Sequence, residues 1–211
     1  MKIKKFVFNP FQENTFLVYT ETGETMIIDP GCNSNNEEEV LQKFIIDNNL
    51  TVKLLVNTHL HIDHVFGNSF IEKTYGIKAL ANKADEFWLK GLDAQARMFG
   101  VSLRNDHPVL GGFIKEGDHL KLGSEDFIVY EVPGHSPGHI VLYNASQSCI
   151  FAGDVLFQGS IGRADLSGGD YSALILGIQK KLLVLPDETV VYCGHGPSTT
   201  IGNEKQFNPF L

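Results

Sequence analysis

Residues 58–64 read Thr58-His59-Leu60-His61-Ile62-Asp63-His64. Packing does not call for three imidazoles and a carboxylate in so short a run. Both are natural ligands of a divalent ion. Side chains alternate along an extended segment, so His59 and His61 point the same way. Asp63 and His64 then follow in a tight turn. Three later segments share this build, each placing His or Asp beside glycine after an apolar run. They are Pro133-Gly134-His135-Ser136-Pro137-Gly138-His139, Phe151-Ala152-Gly153-Asp154 and Tyr192-Cys193-Gly194-His195-Gly196. Any one of them alone would be an ordinary turn. Together they offer His59, His61, Asp63, His64, His135, Asp154 and His195 as candidate ligands. One tetrahedral structural zinc takes about four ligands. The larger set implies two ions with positions left for water. His139 is expected to hydrogen-bond a ligand or its loop. His107 and His119 lie outside the motifs and read as structural or surface residues. Cys193 reads as core.

These groups need a scaffold that brings strand ends together, as catalytic loops on sheets do. Residues 4–8, 15–20 and 25–29 read as the first strands, separated by Asn-Pro and Thr-Gly turns. A helix is expected over 37–48, with Val40, Leu41, Phe44 and Ile45 on one face, and a buried strand over 52–57. A second helix is expected over 84–99, with Phe87, Trp88, Leu92, Ala96 and Phe99 facing a core. After a glycine-rich loop, strands are expected at 119–122, 127–132, 140–143 and 149–152. A helix over 171–183 and a strand over 189–193 complete the pattern. Strands and helices mixed along the whole chain fit an α/β (α+β) fold of sheets with helices packed outside.

The 211 residues suffice for one domain spanning 1–211, burying roughly 70% of the unfolded surface. The formal charge of −8 argues against nucleic acid or an anionic membrane as partner. The basic start, Met1-Lys2-Ile3-Lys4-Lys5, is followed by too short an apolar stretch for a secretory signal, which needs roughly 7–15 residues. No run approaches the ~20 residues that span a bilayer. Cys32, Cys149 and Cys193 include no Cys-x-x-Cys pair, which suits free buried thiols in a reducing compartment. A cytoplasmic location is expected. The sequence carries no signal for an oligomeric state.

The run His59-x-His61-x-Asp63-His64, with His135, Asp154 and His195, resembles the metallo-β-lactamase superfamily over nearly the whole chain. The resemblance implies a four-layer αββα sandwich. It also implies that His59, His61 and His135 hold one metal, that Asp63, His64 and His195 hold a second, and that Asp154 bridges them with a hydroxide that attacks a carbonyl. Asp63 and Asp154 are then the catalytic carboxylates. An Asp at the bridging position is similar to the glyoxalase II branch. The stretches 159–165 and 196–210 resemble short, glyoxalase II-like hydrolases. The chain ends at Leu211, about where the glutathione-gripping helical domain of glyoxalase II would begin.

A small anionic thioester, such as hydroxyacyl-glutathione, is the expected substrate. Its thiol, with a pKa of ~8.5, leaves with little help from an acid, and two divalent ions leave the site with about one net positive charge. Arg163 could pair with a substrate carboxylate or with Asp165. The N and O donors suit zinc, and also iron or manganese. A persulfide dioxygenase-like enzyme with one iron on His59, His135 and Asp154, and a lactone or ester hydrolase, are the other readings.

Overall fold

The computed structural model describes residues 1–211. One sheet runs in the order β1 (Lys2–Phe8), β2 (Glu13–Tyr19), β3 (Glu24–Ile28), β4 (Thr51–Val56), β5 (Ala79–Ala81) and β6 (Leu110–Phe113). The second contains β7 (His119–Leu122), β8 (Glu125–Glu131), β9 (Ile140–Asn144), β10 (Cys149–Gly153), β13 (Val190–Cys193) and β14 (Thr199–Thr200), in the order β14-β13-β10-β9-β8-β7. A small ribbon pairs β11 (Leu156–Phe157) with β12 (Ser160–Ile161). The helices are α1 (Asn35–Asp47), α2 (Ile62–Val65), α3 (Asn68–Tyr75), α4 (Glu86–Lys90), α5 (Leu92–Phe99), α6 (Tyr171–Gly177) and α7 (Ile201–Phe207).

Strand alternation sorts the apolar side chains into layers. Phe16, Val18, Met26 and Ile28 of the first sheet meet Phe127, Val129, Leu142 and Phe151 of the second in one shared core. The neighbours Leu17 and Ile27 face the other way, onto Leu41 and Ile45 of α1 and Ile71 of α3. On the far side, Val141, Ile150 and Val191 pack against Leu174 of α6 and Ile201 of α7. The result is the expected αββα sandwich. No helix is long and apolar enough to cross a membrane.

The expected helix over 84–99 is instead a 3₁₀ turn at Lys83–Asp85 followed by α4 and α5, broken at Gly91. Leu92 and Ala96 are buried as expected. Phe87 and Phe99 are not: they are 44% and 39% exposed, and Trp88 is half-buried. Periodicity identifies an apolar face but not what lies against it. The helix expected over 171–183 stays helical but passes from α6 into a π-helical turn at Ile178–Leu182.

Direction explains why the motifs meet. β3 and β4 are parallel, as are β10 and β13, and β8 runs the same way as β10 through the antiparallel β9. Residues that follow the C-terminal ends of these strands therefore gather at one edge of the sandwich. Asn14, at the start of β2, ties the sheets together there. Its backbone N–H donates to the Gly194 carbonyl at 2.7 Å, and its amide donates to the carbonyls of Cys193 and Gly196 at 2.9 and 2.8 Å.

Candidate metal centre

Every candidate ligand read from the sequence reaches this edge. His59 and His61 leave the end of β4, and Asp63 and His64 stand on the single turn of α2. His135 lies beyond β8, Asp154 beyond β10 and His195 beyond β13. Ligand atoms of His59, His61 and His135 lie within 4.8 Å of one another, as do those of Asp63, His64 and His195. Asp154 stands between the groups. One carboxylate oxygen is 3.5 Å from His64 Nε2, and the other is 3.7 Å from His135 Nε2 and 3.5 Å from His195 Nε2. Glycine makes this approach possible. A Cβ on Gly194 would overlap Asp154 Oδ1, and one on Gly153, whose φ is +48°, would overlap Thr58 Oγ1.

The ring orientations are fixed from behind. His64 Nδ1 meets Asp29 Oδ2 at 3.1 Å, His135 Nδ1 meets the Arg163 carbonyl at 2.8 Å, and His195 Nδ1 meets the Phe11 carbonyl at 3.0 Å. His59 Nδ1 lies 3.1 Å from Thr58 Oγ1, whose hydroxyl donates to Asp29 Oδ2. Each contact leaves the opposite ring nitrogen turned to the cluster, the arrangement that prepares an imidazole to ligate. His139 behaves as its position suggested. Its Nε2 accepts from the Asp154 backbone N–H at 3.0 Å, and its ring stacks on His59 with centroids 4.6 Å apart.

Asp29 and Asp85 escaped the sequence reading. Asp29 is also close to His59 and His64, but its oxygens are taken up by the Thr58 N–H, the Thr58 hydroxyl and His64. It ends β3 in an Asp29-Pro30-Gly31 turn, the same strand-end signal that marked the ligands. Asp85 is fully buried. It accepts from the Leu60 N–H at 3.1 Å, the Ser136 hydroxyl at 2.7 Å and the Gly138 N–H at 2.6 Å. It thus fastens the His59–His61 loop to the His135–His139 loop. His107 and His119 are half exposed beside Asp93 and Asp126, and all three cysteines are free and buried.

Electrostatics divides the cluster. Burial, then the neighbouring His135, pushes His61 down to about 3. Burial and adjacent imidazoles hold His59 well below its usual value. Burial works against charge on the other side, but the carboxylates prevail. His195 is held up at about 10 by Asp154 and Asp63, and His64 is raised by the same pair. In return Asp154 is driven well below the usual carboxylate range, against its burial, chiefly by His64.

The residues fit a pair of metal ions. His61 Nδ1 and His135 Nε2 face each other at 2.9 Å, and His59 Nε2, His64 Nε2 and Asp154 Oδ1 are buried without a hydrogen-bond partner. Buried polar atoms are seldom left so unless something else satisfies them.

Comparison with known proteins agrees with this geometry. The family model described as the metallo-beta-lactamase superfamily matches residues 8–195. A hydroxyacylglutathione hydrolase, GloC, of Haemophilus influenzae is 39% identical, the alignment covering 100% of this chain and 98% of that one. A probable metallo-hydrolase of Bacillus subtilis, YqgX, is 32% identical over 100% and 98%. Among solved structures, the BLEG-1 B3 metallo-β-lactamase superposes with a TM-score of 0.91 at 35% identity, covering 100% of this chain and 99% of that one. A protein solved in a di-iron-bound form gives a TM-score of 0.88 at 37% identity, covering 99% and 100%.

Proposed function

Because the chain belongs to the metallo-β-lactamase superfamily, we propose that it is a two-metal hydrolase of small thioesters, hydroxyacyl-glutathione among them, acting as one domain over 1–211. The convergence of buried, unpartnered donor atoms in two groups, with Asp154 between them, carries this reading. His59, His61 and His135 would hold one ion, and Asp63, His64 and His195 the other, with Asp154 shared. Divalent ions there would supply hydroxide at neutral pH and polarise a carbonyl oxygen. All the donors are N or O, which suits zinc, iron or manganese, and the di-iron form of a relative keeps iron beside zinc.

The chain's own residues do the rest. Asp29 and the carbonyls of Arg163 and Phe11 set the imidazoles before substrate arrives, so little reorganisation is left for the reaction. As ligands of divalent ions Asp63 and Asp154 would be ionised carboxylates, so neither would protonate a leaving group. A thioester suits such a site, because a thiolate departs without a general acid. The name of the Haemophilus influenzae relative supports the same substrate class.

The test is metal content per chain and hydrolysis of S-lactoylglutathione on one purified sample. About two ions with turnover that a chelator abolishes supports the reading. One iron with oxygen consumption and no hydrolysis would overturn it.

Arg163 lines the cavity, and its guanidinium grips Asp165 through two bonds of 2.7 and 2.8 Å. Both side chains are largely exposed, where such pairs are weak, so a substrate carboxylate can compete for the cation. Arg163→Ala is expected to raise KM for an acidic thioester roughly 3–10-fold with kcat little changed, the mark of lost uniform binding. Steady-state kinetics reads this, and an unchanged KM removes Arg163 from the substrate site.

A further inference from the structure

The cavity over the cluster has a volume of about 280 Å³, at the small end for small-molecule sites. Outside the candidate ligands, its lining is mostly apolar: Phe11, Trp88, Met98, Phe99 and Leu166, with Arg163 as the one Lys or Arg. We propose that this mouth is a subsite for an apolar group of the substrate, an aryl or branched alkyl group bearing no more than one carboxylate, and that it ranks such compounds above glutathione conjugates. The proposal rests on the thioester-hydrolase reading for its chemistry, but not for its binding preference.

The apolar wall is continuous with the metal cluster. Trp88 stands edge-on to His61, with ring centroids 4.8 Å apart. Phe99 stands edge-on to Phe11 at 5.6 Å, and the Phe11 carbonyl is the partner of His195. Gln95 pins the helical pair to the ligand loop. Its Oε1 accepts from the Ile62 N–H, and its amide donates to the Trp88 carbonyl, both at 3.1 Å. The core-facing side of α5 is Leu92, Gln95 and Ala96. Met98 and Phe99, on its last turn, are 75% and 39% exposed. Both line the cavity together with Phe11, Trp88 and Leu166, and apolar surface gathered around a cavity is the kind that binds a ligand. An unbranched thioether such as Met98 adapts to varied apolar guests.

Charge complementarity runs against glutathione. Its two ends would bring two carboxylates and an ammonium to an apolar wall whose single cation, Arg163, can pair with only one of the carboxylates, and only by displacing Asp165. A polar group buried without a partner weakens binding, whereas an apolar group gains from the area it covers.

Trp88 is the only tryptophan in the chain, so its fluorescence reports on this mouth directly. The metal-loaded protein is titrated with two thioethers that it cannot hydrolyse, (phenylthio)acetate and S-methylglutathione. The phenyl compound is expected to bind about 10–100-fold more tightly, the range a hydrophobic pocket provides. Met98→Asn combined with Phe99→Asn, both at exposed positions, is expected to remove most of that preference while metal content stays at the wild-type level. Equal or tighter binding of S-methylglutathione would overturn the proposal, as would a preference that survives the double substitution. Lactoyl esters of phenylmethanethiol and glutathione are assayed in parallel. A binding preference without hydrolysis of either ester leaves the subsite standing and defeats the thioesterase reading alone.

Discussion

Asp154→Asn is expected to lower kcat/KM for a thioester by on the order of 10³-fold, ~4 kcal/mol of barrier, and to reduce metal content from about two ions per chain towards one. The substitution keeps the side chain's shape and one acceptor oxygen, so the sandwich beneath it is undisturbed. What it removes is the charge. Asp154 alone stands within 3.7 Å of a nitrogen from His64, His135 and His195. An amide there would present N–H groups to imidazoles that must themselves donate a lone pair to metal. Asp63 would remain as the only carboxylate facing the second group, and two divalent ions so close repel each other unless an anion lies between them. Metal analysis and steady-state kinetics on the same preparation read both effects. A variant that keeps two ions and full activity would show that Asp154 neither bridges nor orients.

The candidate ligands were legible because their chemistry is unusual in sequence. His59, His61, Asp63 and His64 crowd one short run, and the others follow strand-like runs through glycine. The short apolar runs around them indicated sheets with helices packed outside, while the two-sheet αββα arrangement came from the resemblance to the metallo-β-lactamase superfamily. Short elements escaped. β5 and β6 have three and four residues, too few for a period to register, and α3 presents only two turns. Asp29 and Asp85 escaped for a different reason. Each acts through partners 25 to 53 positions away, which only the fold brings near. Phe87 and Phe99 were misread because an apolar face looks the same in sequence whether a core, a cavity or solvent lies against it. Trp88 packs against the Leu60, Ile62 and Leu92 core as expected and, with Phe99, also lines the cavity.

Asp85 should be the most damaging position outside the ligand set. Its buried carboxylate receives three donors, the Leu60 and Gly138 N–H groups and the Ser136 hydroxyl. Asp85→Ala leaves all three without a partner and opens a polar hollow. Each buried unsatisfied group costs about 1–3 kcal/mol, and partial access of water to the hollow brings the total to roughly 3–5 kcal/mol. For a chain of this size that lowers the melting temperature by roughly 6–20 °C. A loss of function follows by a separate route. Leu60 lies between His59 and His61, and Ser136 and Gly138 flank the turn that carries His135 and His139. Releasing these loops frees the imidazoles that Asp85 holds in register, and outer partners of this kind are worth about 10–100-fold in metal affinity. Burial raises the Asp85 pKa while its three hydrogen bonds oppose that shift, so the site needs an acceptor more than it needs a charge. Asp85→Asn keeps one acceptor oxygen, though its amide faces one of the donors. It should therefore recover part of the stability and part of the metal affinity. Melting curves of the metal-free proteins separate stability from metal binding, and chelator competition then measures the affinity. If Asp85→Ala melts like the wild type and holds metal as tightly, the two loops are fixed by other means and Asp85 is a bystander.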